Sequence, residues 1–109
     1  VSALLALALA VTGLHGVVLR GPTTPVCRVG VPCTEPARGA VLAFALKGRV
    51  VRRVRVGIRG RYAVRLAPGV YTVSVTPRPR VGSGIRPLRV WVRRGRDSRV
   101  NFTIDTGIR

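Results

Sequence analysis

The stretch Gly60–Val75, GRYAVRLAPGVYTVSV, decides the fold. Tyr62, Val64 and Leu66 alternate with Arg61, Ala63 and Arg65; after Ala67-Pro68-Gly69, Tyr71, Val73 and Val75 alternate with Thr72, Ser74 and Thr76. Successive side chains of an extended chain point to opposite faces, so each run has one apolar and one polar face. Pro68 presets φ, and Gly69 tolerates the backbone angles that a tight turn demands. The stretch therefore reads as two strands joined by a short turn, with one face buried.

The same period of two recurs outward in both directions, and no stretch after Gly13 carries helical periodicity. Upstream, Leu14–Arg20 reads as a first strand, stopped by Gly21-Pro22. Thr23–Pro36 is an irregular, proline-rich loop. Gly39–Leu46 is a second strand, with Ala40, Leu42, Phe44 and Leu46 on one face, and Lys47-Gly48 turns the chain. Arg49–Ile58 is a third, with Val54, Val56 and Ile58 inward and Arg53, Arg55 and Arg59 outward. Downstream of the deciding stretch, Pro77–Pro87 is a Gly/Pro loop unsuited to a sheet ladder. Leu88–Arg94 places Leu88, Val90 and Val92 inward and Arg89, Trp91 and Arg93 outward; Ser98–Asp105 closes with Val100, Phe102 and Ile104 inward. Seven strands, each with one apolar face and short turns between them, predict an all-β, seven-stranded antiparallel β-sandwich over residues 14–105. An immunoglobulin pattern fails, because Cys27 and Cys33 are too close in sequence to pin two sheets together.

The pattern Gly60, Tyr62, Val64, Leu66, Pro68-Gly69, Tyr71, Val73, Val75, with the strand opening GAVLAF at Gly39, resembles the carboxypeptidase-regulatory-like family. The resemblance spans about Leu14–Ile104 and implies a prealbumin-like (transthyretin-like) sandwich of the bacterial secreted type. Such domains are typically non-catalytic and accompany secreted enzymes, adhesins and receptors as spacers or binding modules. The zinc-peptidase signature of their partners is absent here: no His-x-x-Glu occurs, and His15 is the single histidine. The internal isopeptide of related adhesin domains also lacks its residues, since the first strand has no Lys and Lys47 lies at a turn.

The N-terminal run VSALLALALAV is uncharged and apolar, as in the core of a secretory signal peptide, with small residues placed for cleavage after Ala10. Residues 1–10 are thus expected to be a signal segment from a truncated or alternative start. An uncleaved membrane helix reaching Leu19 is the rival, at close to the ~20 residues a bilayer requires; a segment buried in the domain is the third reading. Cys27 and Cys33 bracket Arg-Val-Gly-Val-Pro, and a disulfide there would contribute ~2 kcal/mol through loop entropy. It would also place the mature chain outside the cytoplasm, secreted or on the cell surface.

The chain has 109 residues, and its charge is lopsided: 20 basic residues face three acids, for a net charge of +17. Nineteen of the basic residues are Arg, and Val outnumbers Ile 20 to 4, the usage of a GC-rich gene. An apolar content of 47% argues for a packed core despite the charge. One His, one Glu and two Asp leave almost nothing from which to build an acid–base pair, a triad or a metal site. Neither an enzyme nor a cofactor is expected. The surface feature is arginine: Arg53, Arg55, Arg59, Arg61 and Arg65 in one group, and Arg89, Arg93, Arg94, Arg96 and Arg99 with Trp91 in another. On one sheet these groups would form a basic face around an exposed indole. Guanidinium forks suit phosphate, sulfate or carboxylate, and an indole suits a base or sugar ring. The alternative is a solvated face whose Arg stems merely cover the strands. Two roles follow: a non-enzymatic structural or interaction module, with another surface protein as its partner, or a binder of anionic polymers such as nucleic acid, acidic glycan or teichoic-type polymer. The Asn101-Phe102-Thr103 sequon and His15 are read as having no special role.

Overall fold

The computed structural model describes residues 12–79 and 84–108; the expected signal segment lies outside them. Ten strands, and no helix among the described residues, make an all-β fold of two packed sheets. They are β1 (Gly13–Gly21), β2 (Glu35–Pro36), β3 (Val41–Leu46), β4 (Arg49–Arg55), β5 (Arg61–Arg65), β6 (Gly69–Thr76), β7 (Gly84–Arg86), β8 (Arg89–Val92), β9 (Asp97–Arg99) and β10 (Phe102–Asp105). One sheet has the order β4-β3-β6-β8 and is antiparallel throughout. The other is built around the long β1, with β5 and β2 along one side and β9 and β10 along the other, and β7 outside β10.

The deciding stretch behaves as its alternation requires. Tyr62, Val64 and Leu66 are buried from β5 onward, Tyr71, Val73 and Val75 are buried in β6, and the residues between them are exposed. The two runs do not pair with each other, however. β5 pairs with β1 and β6 with β3, so Ala67-Pro68-Gly69 carries the chain from one sheet to the other. The core lies between the layers, with Leu42, Phe44, Tyr71, Val73, Val90 and Val92 from one sheet meeting Leu14, Val18, Tyr62, Val64, Phe102 and Ile104 from the other. Phe44, Tyr62 and Phe102 form its aromatic centre, with ring centroids 5.5–6.5 Å apart. Such spacing suits tilted and edge-on ring packing.

Several expectations are corrected. Each of the seven expected strands exists, but the last is split into β9 and β10, and β2 and β7 are additional. β7 lies within the Pro77–Pro87 loop, because Gly84–Arg86 pairs with β10. The fold is mixed rather than antiparallel: β1 runs parallel to β9 and β10. The long path between these ends of the chain permits a parallel pairing that no short hairpin could make. Ile58 is 75% exposed, because Val56 is the last residue bonded back to Gly39 and Ala40, and Gly57–Gly60 then turns towards β5. Leu88 is 57% exposed, at the point where the chain leaves β7 in one sheet for β8 in the other.

Candidate functional site

The split between β9 and β10 shows how β1 is built into the sheet. The offset between β1 and its parallel neighbours is unbroken, from His15 opposite Arg99 to Val18 opposite Phe102. Val100 N–H donates to His15 O, as a parallel ladder requires. The next ladder bond would run from Val17 N–H to Val100 O. Instead, Val17 N–H donates to Asn101 Oδ1 at 3.0 Å, and Val100 O accepts from the Tyr62 hydroxyl at 2.6 Å. Gly16 makes this possible. A Cβ on Gly16 would collide with Val100 O. Burial first, and then the negative charge of Asp97, pushes the Tyr62 phenol well above the usual tyrosine range. Burial also raises Tyr71, whose hydroxyl donates to Ala67 O at 2.6 Å.

The arginines fall into two surfaces. Arg53 and Arg55 on β4 lie at one edge of the four-stranded sheet; Arg89 and Trp91 on β8 lie at the other. Register places them on the outer face, since Arg53 opposes Ala43, Arg55 opposes Val41, and Arg89 and Trp91 oppose Thr72 and Val70. Between the two edges the outer face is low, lined by Ala43, Ala45, Thr72, Ser74 and Thr76. Trp91 is 61% exposed, and the Arg93 guanidinium stacks 4.1 Å from its ring centroid. Arg61 and Arg65 belong to the other sheet, on β5, and Arg59 sits in the turn before it. The arginines singled out in the sequence therefore share no single sheet face.

The second surface is the seam where β4 and β5, outlying strands of opposite sheets, come together. At one end a cleft of about 830 Å³ is lined by Arg55, Arg61 and Arg99, with His15, Gly16 and Asn101. At the other, a cleft of about 340 Å³ is lined by Arg52, Arg65 and Arg94. Neither lining contains an acid. Arg52 escapes a sequence reading because it shares the parity of the inward Val54 and Val56. His15, read as having no role, lines the larger cleft and hydrogen-bonds Asp97 through Nδ1 at 3.0 Å. Asn101, read only as part of a sequon with no special role, completes the sheet.

Glu35 forms an ion pair with Arg20 at 2.8 Å, and Asp97 is held by its hydrogen bond to His15. Asp105 accepts a hydrogen bond from Gly107 N–H. No group of three metal-ligating side chains occurs among the described residues. Cys27 and Cys33 are joined in a disulfide, as their spacing predicts, with Cα atoms 5.6 Å apart. The loop they close carries exposed Val29 and Val31, and Val26 just before it is exposed as well. No helix among the described residues is long and apolar enough to cross a membrane. Protein-family models and curated proteins were both compared with this chain, and none matches.

Proposed function

We propose that the chain is a non-enzymatic, exported interaction module, a carboxypeptidase-regulatory-like sandwich of prealbumin type, whose partner is an anionic polymer. The observation that carries this reading is the arrangement of charge. Guanidinium groups line both clefts of the seam and both edges of the four-stranded sheet, against three acids in the whole chain, of which Glu35 pairs with Arg20 and Asp97 bonds His15 beside the larger cleft. Like charges crowded on one small body raise its free energy until anions screen them, and a polymer of fixed negative charge does so with release of its counterions. Guanidinium forks bind phosphate, sulfate and carboxylate in a bidentate manner. Export is supported by the disulfide, which persists in oxidising compartments. The regulatory-like type rests on the Gly60–Val75 pattern and its buried alternation.

The test is retention on heparin and polyphosphate resins. The protein is expected to bind both at about 50 mM salt and to elute as salt rises. Changing Arg53, Arg55 and Arg61 to Glu together should weaken retention. Flow-through of the native protein at low salt, or undiminished retention of the charge-reversed variant, would overturn the proposal.

A further inference from the structure

The two clefts of the seam belong to one strand. Arg61 opens β5 and Arg65 ends it, both on its exposed face, four residues apart. At a rise of about 3.3 Å per residue the two guanidinium stems leave the strand about 13 Å apart. β4 runs beside β5 and supplies the second member of each group, Arg55 next to Arg61 and Arg52 next to Arg65. The third members come from the last part of the chain: Arg99 ends β9, and Arg94 lies in the turn before it. All six side chains are exposed. The result is two trios of guanidinium groups, each in a concave site, joined by one edge of the sandwich.

We infer that this seam is a track for a linear phosphate polymer, with one phosphate-binding trio at each end. The inference rests on the proposed anionic partner and gives it a place and a class. Each trio brings three positive charges into one cleft. Each internal phosphate of a linear polymer carries one negative charge on two non-bridging oxygens, and such units follow one another directly along the chain, so several can enter one cleft and offer lone pairs to more than one fork, where a glycan spaces its charges by sugar rings. A single small anion fills one cleft and leaves the other unscreened. A chain long enough to cross about 13 Å fills both, and its second contact is intramolecular, so affinity rises without any new kind of contact. Asp97 lies beside the track, lining a small depression with Arg65 and Ala63, and its carboxylate is held by His15. It is the negative charge that a bound polymer would meet.

The probes are inorganic phosphate, tripolyphosphate and long-chain polyphosphate, titrated by calorimetry against the native protein and four variants. Long-chain polyphosphate is expected to bind roughly 10²-fold or more tightly than inorganic phosphate. Arg61→Glu with Arg99→Glu, or Arg52→Glu with Arg94→Glu, each removes one end and should reduce the advantage of the long chain to less than about tenfold. Arg86→Glu with Arg89→Glu removes the same charge from β7 and β8, outlying strands away from the seam, and should leave most of that advantage. Asp97→Asn, which deletes a repulsive charge and no arginine, should tighten polyphosphate binding severalfold. If the off-seam pair costs as much as either seam pair, the polymer binds by diffuse charge; the track is then wrong and the anionic partner stands. If heparin binds and polyphosphate does not, the phosphate class is wrong. If no polyanion binds, both readings fall. Circular dichroism of each variant shows whether it is folded, and a loss of binding by Asp97→Asn would contradict the track even if a reversal variant fails to fold.

Discussion

Tyr62→Phe removes one oxygen atom from the centre of the sheet, and its consequence follows from the interrupted ladder. The ring keeps its packing on Phe44 and Phe102, so the cavity term is small. What is lost is the 2.6 Å hydrogen bond to Val100 O. Such a bond is worth about 1 kcal/mol net, and because Val100 is half-buried its orphaned carbonyl adds to that loss without reaching the upper end of the about 1–3 kcal/mol of a fully buried one. Asn101→Ala likewise leaves Val17 N–H without its acceptor, at a cost of about 1 kcal/mol. The two orphaned groups are each other's ordinary ladder partners. With both side-chain groups gone, Val17 N–H can donate to Val100 O and restore the bond that Tyr62 and Asn101 displace. The double variant is therefore expected to lose less than the sum of the single losses, by about 0.5 kcal/mol or more. Urea unfolding followed by circular dichroism measures all four corners of the cycle. The alkaline limb adds a second reading. The folded protein holds the Tyr62 proton to higher pH than the unfolded chain does, whose phenol titrates near ~10. The Tyr62 contribution is whole below that value and is lost as pH rises above it, since the unfolded state sheds its proton first. Tyr62→Phe should lose stability less steeply above pH ~10, with Tyr71 supplying the slope that remains. Strict additivity of the two substitutions, or an unchanged alkaline slope, would refute this account of how β1 joins β9 and β10.

Gly16→Ala places a Cβ against the Val100 carbonyl, which cannot yield without breaking its bond to Tyr62, and is expected to cost about 1–3 kcal/mol in the same urea assay. Ile58→Ser and Leu88→Ser, at positions whose alternation marks them as core but whose side chains face solvent, should each change stability by less than about 0.5 kcal/mol. Replacing Cys27 and Cys33 together by Ala should cost no more than about 2 kcal/mol, because the loop they close is short and largely exposed. The native protein should gain two hydrogens in intact mass on reduction, about 2 Da.

The alternation of tyrosines, valines and leucines from Tyr62 to Val75 was legible because strand and burial period coincide there, with Ala63, Arg65, Thr72 and Ser74 exposed between the buried residues of each run. It misled at Ile58, where the period of apolar residues continues for three positions past the end of β4 and the chain rotates out of phase. It misled again at Leu88, where parity is right but the chain has only just passed from β7 in one sheet towards β8 in the other, and the side chain is still exposed. The pairing of strands was not legible. Pro68-Gly69 looks like a hairpin turn, and only the packing of β5 on β1 and β6 on β3 makes it a crossover. Parallel pairing of β1 with the chain's end leaves no local mark either, because its partners are separated by 84 residues. Of the arginines, those at outward parity were readable as surface. Their gathering into two trios was not, since each trio draws on three separate strands or turns, and Arg52 carries inward parity.

The most direct test of the central claim, that this basic surface exists to hold an anionic polymer, is the salt dependence of polyphosphate binding to the native protein. With six arginines of the seam each contacting a phosphate, the logarithm of the association constant should fall against the logarithm of salt concentration with a slope of about −4. Reversal of either trio should bring the slope to about −2. Binding that is absent at low salt, or a slope near zero that no reversal alters, would contradict the claim.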